Sequence, residues 1–269
     1  MIDQNIPKAL PARRFKGPRA TIALVMREME TSYGKSPGGY LWAILEPVGA
    51  ITLFTLVIAY GLRLRSPSIG SNFMLFYASG LLPYMLFMQT NKRIARSLRY
   101  SKKLLKYPRV TFVDAIAARF IVYLITHLVV FYVLMTGLHI GFDLDVHLNI
   151  PAIALALTMA ATLGLGVGCL NCFLMSFFPI WEKVWSMMTR PLMLLSTVIY
   201  IFEEVPWRFQ DIVWYNPLIH IVGVMRKGFY PSYDAQYASP LYVFAFALIP
   251  MALGMTMLYR WNRVLVNRG

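Results

Sequence analysis

Six long apolar runs dominate this chain, at about 47–62, 73–90, 112–138, 151–178, 185–202 and 241–259. Each approaches the roughly 20 residues a helix needs to cross the hydrocarbon of a bilayer. In hydrocarbon, backbone N–H and C=O groups must be satisfied within the structure, so such runs fold as spanning helices. Charge agrees: 14% of the 269 residues are charged, against about 25% in a soluble domain.

The fold class this predicts is an all-α membrane protein of six transmembrane helices. Residues 1–17 are polar, basic and Pro-containing and read as a cytoplasmic tail. Residues 18–46 carry an interfacial helix and the approach to span one. Ile22, Met26, Met29 and Tyr33 recur there at helical spacing, with Arg19, Arg27 and Glu30 off that stripe, as in a helix lying in the headgroup plane. Gly34 to Gly39 end that helix, and Tyr40 and Trp42 suit the headgroup level. The transmembrane domain covers 47–260, and 261–269 form a second cytoplasmic tail. The first 20 residues hold Asp3, Lys8, Arg13, Arg14 and Lys16 without an apolar core, so span one is expected to insert as an uncleaved anchor.

The net charge of +14 has two readings, nucleic acid or topology. The positions of the charges decide. Lys92, Arg93, Arg96, Arg99, Lys102, Lys103, Lys106 and Arg109 crowd one loop that contains no acid. With alternate loops assigned to the two sides, 20 of the 26 basic residues share the side of the termini, and Arg63, Arg65, Arg208, Arg226 and Lys227 lie opposite. Cytoplasmic loops collect Lys and Arg, so both termini are placed in the cytoplasm and the span count is even. No nucleic-acid partner is implied.

Chemistry is sparse. Gly34-Lys35-Ser36 looks like the end of a P-loop, but Met29 stands where its first glycine belongs and no strand precedes it. Cys169 and Cys172 have CxxC spacing inside an apolar run beside Gly164, Gly166 and Gly168, which reads as small-residue helix packing rather than a metal or redox site. Asp114 is the one acid within a span, and Arg119 is a candidate intramembrane partner for it. His127 is a lone mid-span ionisable group. No HExxH and no paired carboxylates occur in a plausible setting. The expectation is therefore no catalytic residue, no metal and no cofactor bound by this chain.

Two segments carry more. In 92–109, Ile94, Leu98 and Leu105 share one helical face and the rest is cationic, which suits anionic headgroups or a transmission helix seated on a cytoplasmic partner. Residues 203–239 are too apolar for a solvated loop and too polar for a lipid-facing span. Two short re-entrant helices, broken near Asn216-Pro217 at the outer mouth of a pathway, satisfy both constraints, and an interfacial hairpin is the alternative. The 16 Tyr, 17 Phe and 6 Trp form interface belts or a path for sugar rings, whose C–H faces pack on aromatic planes.

Three stretches bring these pieces together. Lys35-Ser36-Pro37-Gly38-Gly39-Tyr40-Leu41-Trp42-Ala43-Ile44-Leu45-Glu46-Pro47 follows the interfacial helix, Arg190-Pro191-Leu192 opens span five, and Tyr215-Asn216-Pro217-Leu218-Ile219-His220 precedes Arg226 and Phe229. This pattern resembles the type-2 ABC exporter permeases, particularly the capsule-polysaccharide and O-antigen branch, over about residues 18–265. The resemblance implies a homodimer bound to two copies of a separate ATPase, which supplies ATP and Mg. It places Arg27, Arg96, Arg99, Lys102, Lys103 and Lys106 against the ATPases. It makes Trp207, Trp214, Tyr215, Asn216, Pro217, His220 and Arg226 a periplasmic gate. It implies export of a lipid-linked, capsular polysaccharide across the inner membrane, with membrane lipids as the other partner. An O-antigen or teichoic-acid-like polymer is the alternative within the family, and an ion-coupled secondary transporter relying on Asp114 is the alternative outside it. One departure limits the transfer: where the family often carries an acid before the arginine matching Arg226, this chain has Gly223, Val224 and Met225.

Overall fold

A computed structural model describes residues 16–33, 38–61, 66–105, 110–142 and 148–267. The tail 1–15, Lys35-Ser36-Pro37, Arg63, Arg65, Lys106 and Arg109 lie outside the described residues, as does the side chain of Lys103. Every regular element among the described residues is helical.

Helix α1 spans Lys16–Tyr33 and α2 spans Leu41–Phe54. Leu24 of α1 is buried, while Ile22, Met26 and Met29 of the stripe read from the sequence are exposed among the described residues. Pro47 lies inside α2, where it removes one backbone donor. After Thr55 the helix widens to a π turn through Gly61.

Helix α3 spans Phe73–Ala95, with the Asn72 side chain accepting from the Leu75 amide at 3.1 Å as its cap. Buried residues occur on all its faces, so α3 is a central strut rather than a lipid-facing helix. The chain kinks at Arg96 and continues as α4, Ser97–Leu105. Helix α5 spans Phe112–Phe142 and α6 spans Ile150–Phe177. Their 31 and 28 residues extend roughly 46 and 42 Å at 1.5 Å per residue, beyond the ~30 Å hydrocarbon core. Helices α7 (Trp181–Thr189), α8 (Trp207–Trp214), α9 (Pro217–Phe229) and α10 (Pro240–Asn267) complete the chain.

Among the described residues, three helices are long and apolar enough to cross a membrane: Phe112–Phe142, Ile150–Phe177 and Pro240–Trp261. Leu41–Val57 is apolar but shorter.

The expected span at 185–202 is not one helix. The brief turn expected around Trp181, Glu182 and Lys183 is instead the start of α7. Its nine residues cover only ~14 Å. A 3-10 turn follows over Pro191–Ser196, then Thr197 adopts a left-handed φ of 53° and breaks the path. Pro191 has no N–H to continue the α pattern, and the tighter turn then runs out.

Small residues set the spacing of the core. A Cβ on Gly164 would lie 2.9 Å from Thr90 Cβ, and one on Gly168 would lie 2.9 Å from Ile94 Cβ, both on α3. On the opposite side of α6, Gly166 abuts the Ala247 backbone and Gly254 abuts the Cys169 backbone, so α6 and α10 touch main chain to main chain. Cys169 and Cys172 are free and buried in this packing, and no candidate metal cluster occurs among the described residues.

Candidate functional site

The kink at Arg96 starts the first polar assembly, at the basic end of α3. Arg96 Nη2 lies 2.7 Å from Glu182 Oε1, and Arg99 Nη1 donates to Glu182 Oε2 at 2.8 Å. Glu182 sits in the first turn of α7, where the helix dipole also favours an acid. The Arg99 hydrogen bond, opposed by partial burial and aided by the Arg96 charge, holds its carboxyl below the usual glutamate range. One residue earlier, Trp181 Nε1 donates to Asn171 Oδ1 at 2.8 Å, and Asn171 Nδ2 donates to Asn91 Oδ1 at 3.1 Å. Both asparagines are 1% exposed. Helix α7 is thus tied to α4 by ion pairs and to α6 and α3 by a buried amide chain.

This places two of the expected ATPase-facing arginines on a partner within the chain. Both remain partly exposed, with side-chain accessibilities of 35% for Arg96 and 54% for Arg99. Arg27 is exposed and Lys102 half-buried. Sequence reasoning passed over Glu182. The available signal was charge: it is the one acid in the 179–190 segment, facing a loop of eight cations.

The expected Asp114–Arg119 pair does not form. Asp114 Oδ2 accepts from the Thr111 amide at 2.9 Å and the Thr111 hydroxyl at 2.7 Å, and the Asp114 amide donates back to Thr111 Oγ1 at 3.2 Å. That is a capping box at the start of α5. Thr21 of α1 donates to Asp114 Oδ1 at 2.9 Å. Arg119 turns elsewhere: Nη2 meets Glu28 Oε2 at 3.2 Å, Nη1 donates to the Arg93 carbonyl at 3.0 Å, and the guanidinium lies 4.8 Å from the Tyr100 ring centroid. Helix geometry explains the miss. Residues three or four apart are neighbours on a helix, whereas a spacing of five points away.

The second assembly lies at the other end of α3 and surrounds the broken span. Arg226 of α9 is fully buried. Its Nη1 donates to the Tyr200 carbonyl at 2.6 Å and its Nη2 to the Val198 carbonyl at 2.9 Å, while the guanidinium stacks 4.1 Å from the Phe76 ring centroid. The break after Thr197 leaves these carbonyls without helical donors, and one planar cation supplies both. With Gly223, Val224 and Met225 preceding it, Arg226 answers to backbone carbonyls rather than to a neighbouring acid. Gly80 makes room for this: a Cβ there would sit 2.9 Å from the Val198 oxygen.

Asn216 reinforces the join. Its Nδ2 donates to the Leu195 carbonyl at 2.9 Å and to Ser196 Oγ at 3.1 Å, while its Oδ1 accepts from the Leu218 amide as the cap of α9. Pro217 takes the first helical position, where a missing N–H costs nothing. His220 is buried: Nδ1 accepts from the Ser239 amide at 3.1 Å, which leaves Nε2–H to donate to the Trp214 carbonyl at 2.9 Å. Trp214 Nε1 donates to the Tyr237 carbonyl at 3.1 Å, with its ring against His220 and Tyr242.

The gate residues read from the sequence therefore divide. Trp214 at the end of α8, the α9 cap Asn216, and His220 and Arg226 of α9 are packing nodes. Trp207 and Tyr215 are 76% and 66% exposed, alongside Phe209 and Ile212 on α8, a helix with no buried residue.

Residue stretch 181–200 joins the two assemblies. Its α7 end is fastened by Glu182 and Trp181, and its broken end by Arg226 and Asn216. It is a tethered, interrupted segment in an all-helical arrangement.

Residues 19–230 match the family described as ABC-2 type transporter, and the chain belongs to that family. Members are the membrane subunits of transporters and work with a partner ATPase. The polysialic acid transport protein KpsM of Escherichia coli is 28% identical over 91% of this chain and 95% of its own length. The capsule polysaccharide export inner-membrane protein CtrC of Neisseria meningitidis serogroup A is 27% identical over 90% of each chain. The O-antigen export system permease protein RfbA of Klebsiella pneumoniae is 22% identical over 91% of this chain and 94% of its own.

Proposed function

We propose that this chain is the membrane permease of an ATP-driven exporter that moves a lipid-linked capsular polysaccharide across the inner membrane. Two copies work with two copies of a cytoplasmic ATPase, which binds ATP and Mg. Each permease crosses the bilayer six times, with the buried α3 as span two and the broken 185–202 segment as span five alongside α2, α5, α6 and α10. Both termini face the cytoplasm, α1 lies in the headgroup plane, and α8 and α9 re-enter from the outer face. The capsule proteins named above support the substrate class, and they match at higher identity than the O-antigen permease, which remains the second reading.

The observation that carries the mechanism is the double fastening of 181–200. ATP-driven closure of the ATPases moves α1 and α4, through Arg27, Lys102, Lys103 and Lys106. Arg96 and Arg99 pass that motion to α7 through Glu182. The interrupted segment then shifts against α3 and carries Arg226 and Asn216 of α9 with it, which opens the outer mouth beside Trp207 and Tyr215. The coupling rests on contacts that differ between two states, as any such device requires.

The test is expression in an Escherichia coli strain lacking its own capsule permease, with a candidate ABC ATPase from the same genome as this chain supplied in trans. The expected outcome is a stable permease–ATPase complex and capsule at the cell surface. Absence of both, with the protein inserted in the membrane, overturns the reading.

A further inference from the structure

We propose that the cleft between α1, α2, α3 and α5 binds a phospholipid whose headgroup carries both a phosphate and a primary amine, in the manner of phosphatidylethanolamine. Two adjoining cavities make the cleft amphiphilic. The polar one, about 230 Å3, is lined by Glu46, Gln89, Arg93, Thr126 and His127 together with apolar side chains. The other, about 190 Å3, is walled by Val25, Met29, Ile44, Ile125 and Val129. Ala43, Thr126 and Val130 line both, so the two share one wall. A headgroup-sized polar space beside a narrow apolar one matches a lipid head and the start of its acyl chain.

Charge selects the headgroup. Glu46 accepts one hydrogen bond, from Gln89 Nε2 at 3.3 Å, and forms no ion pair among the described residues. Arg93 forms none either: its guanidinium stacks 4.7 Å from the Tyr123 ring centroid, and its Nε is buried without a hydrogen-bond partner. These opposite charges line one cavity yet do not neutralise each other. The buried Arg93 Nε bears a desolvation cost that a partner would offset, and the exposed Glu46 carboxylate keeps acceptor positions open to the cleft. A zwitterion serves both, with its ammonium toward Glu46 and the Trp42 face and its phosphate toward Arg93. A glycerol headgroup would leave Glu46 facing net negative charge. A choline headgroup has no N–H to donate to it.

This inference does not depend on the transported polymer. The purified full-length protein is exchanged into nanodiscs of equal phosphatidylethanolamine, phosphatidylglycerol and phosphatidylcholine, then released and read by native mass spectrometry. Phosphatidylethanolamine is expected on the protein at roughly tenfold excess over each of the others, the effect of about one charged contact. Glu46→Gln keeps the Gln89 hydrogen bond and the side-chain volume, and it should erase the preference over phosphatidylcholine. Arg93→Gln should lower retention of all three lipids, and Val129→Trp should do the same by filling the apolar cavity. Retention in bulk proportion by the wild type overturns the proposal. So does a preference for phosphatidylglycerol, which would mark a simple anion site or the lipid end of an anionic cargo, or a preference unchanged in Glu46→Gln.

Discussion

Arg226 offers the sharpest test of how the broken segment is held. Replacing it by Met keeps the length and apolar stem but leaves the Val198 and Tyr200 carbonyls without donors. Each unsatisfied buried acceptor costs about 1–3 kcal/mol, or about 2–6 together. Loss of the stacking on Phe76 adds about 2 kcal/mol for a desolvated site. Against this, the charge no longer has to be buried, which returns several kcal/mol. The balance is a destabilisation of about 3 kcal/mol, and at 2–4 °C per kcal/mol the melting temperature falls by roughly 6–12 °C. Arg226→Lys keeps the charge but cannot bridge two carbonyls while lying flat on a ring, so it should fall between the two. Thermal melting in lipid nanodiscs reads the stability, and surface capsule in the complementation strain reads export. A Met variant that melts within about 1 °C of wild type and exports normally would refute the bracing role.

Glu182→Gln should weaken coupling without blocking insertion, seen as ATPase activity that no longer responds to the permease. It carries a pH signature as well. The glutamate carboxyl is held below its ordinary value of 4.5, so its contribution is full above that value and fades as the pH falls through the lower folded value. The melting temperatures of wild type and Glu182→Gln should therefore differ at neutral pH and converge in acid; a gap that persists well below pH 4.5 contradicts the ion-pair account. In double-mutant cycles, Arg119→Gln should couple to Glu28→Gln by more than about 0.5 kcal/mol and be additive with Asp114→Asn. Trp207→Ala and Tyr215→Ala, both on exposed positions, should shift the melting point by the equivalent of about 0.5 kcal/mol or less, while export changes. Normal export in both, and in truncating substitutions across 203–230, would remove these residues from the pathway.

What could be read without coordinates was whatever depends on spacing along one helix or on bulk solvent preference. Apolar length marked α5, α6 and α10 as able to cross a bilayer. The Gly164–Cys172 run announced close helix packing, and Asn216-Pro217 announced a break between two short helices, because small-residue faces and proline breaks are local signals. The same local reasoning placed Trp214, His220 and Arg226 in one segment, though not their roles.

The chain order of residues does not say which distant groups will share a buried volume. Asp114 and Arg119 sit five apart, and only the packing of α1 on α5 gives them separate partners in Thr21 and Glu28. Glu182 and Arg96 lie 86 positions apart, and their meeting depends on where α7 folds back against α4. An apolar run predicts a span, but whether it stays helical depends on partners that can satisfy an interrupted backbone. For 185–202 that partner is Arg226, so hydropathy could only suggest a span there, while the tertiary fold supplies what stabilises the break.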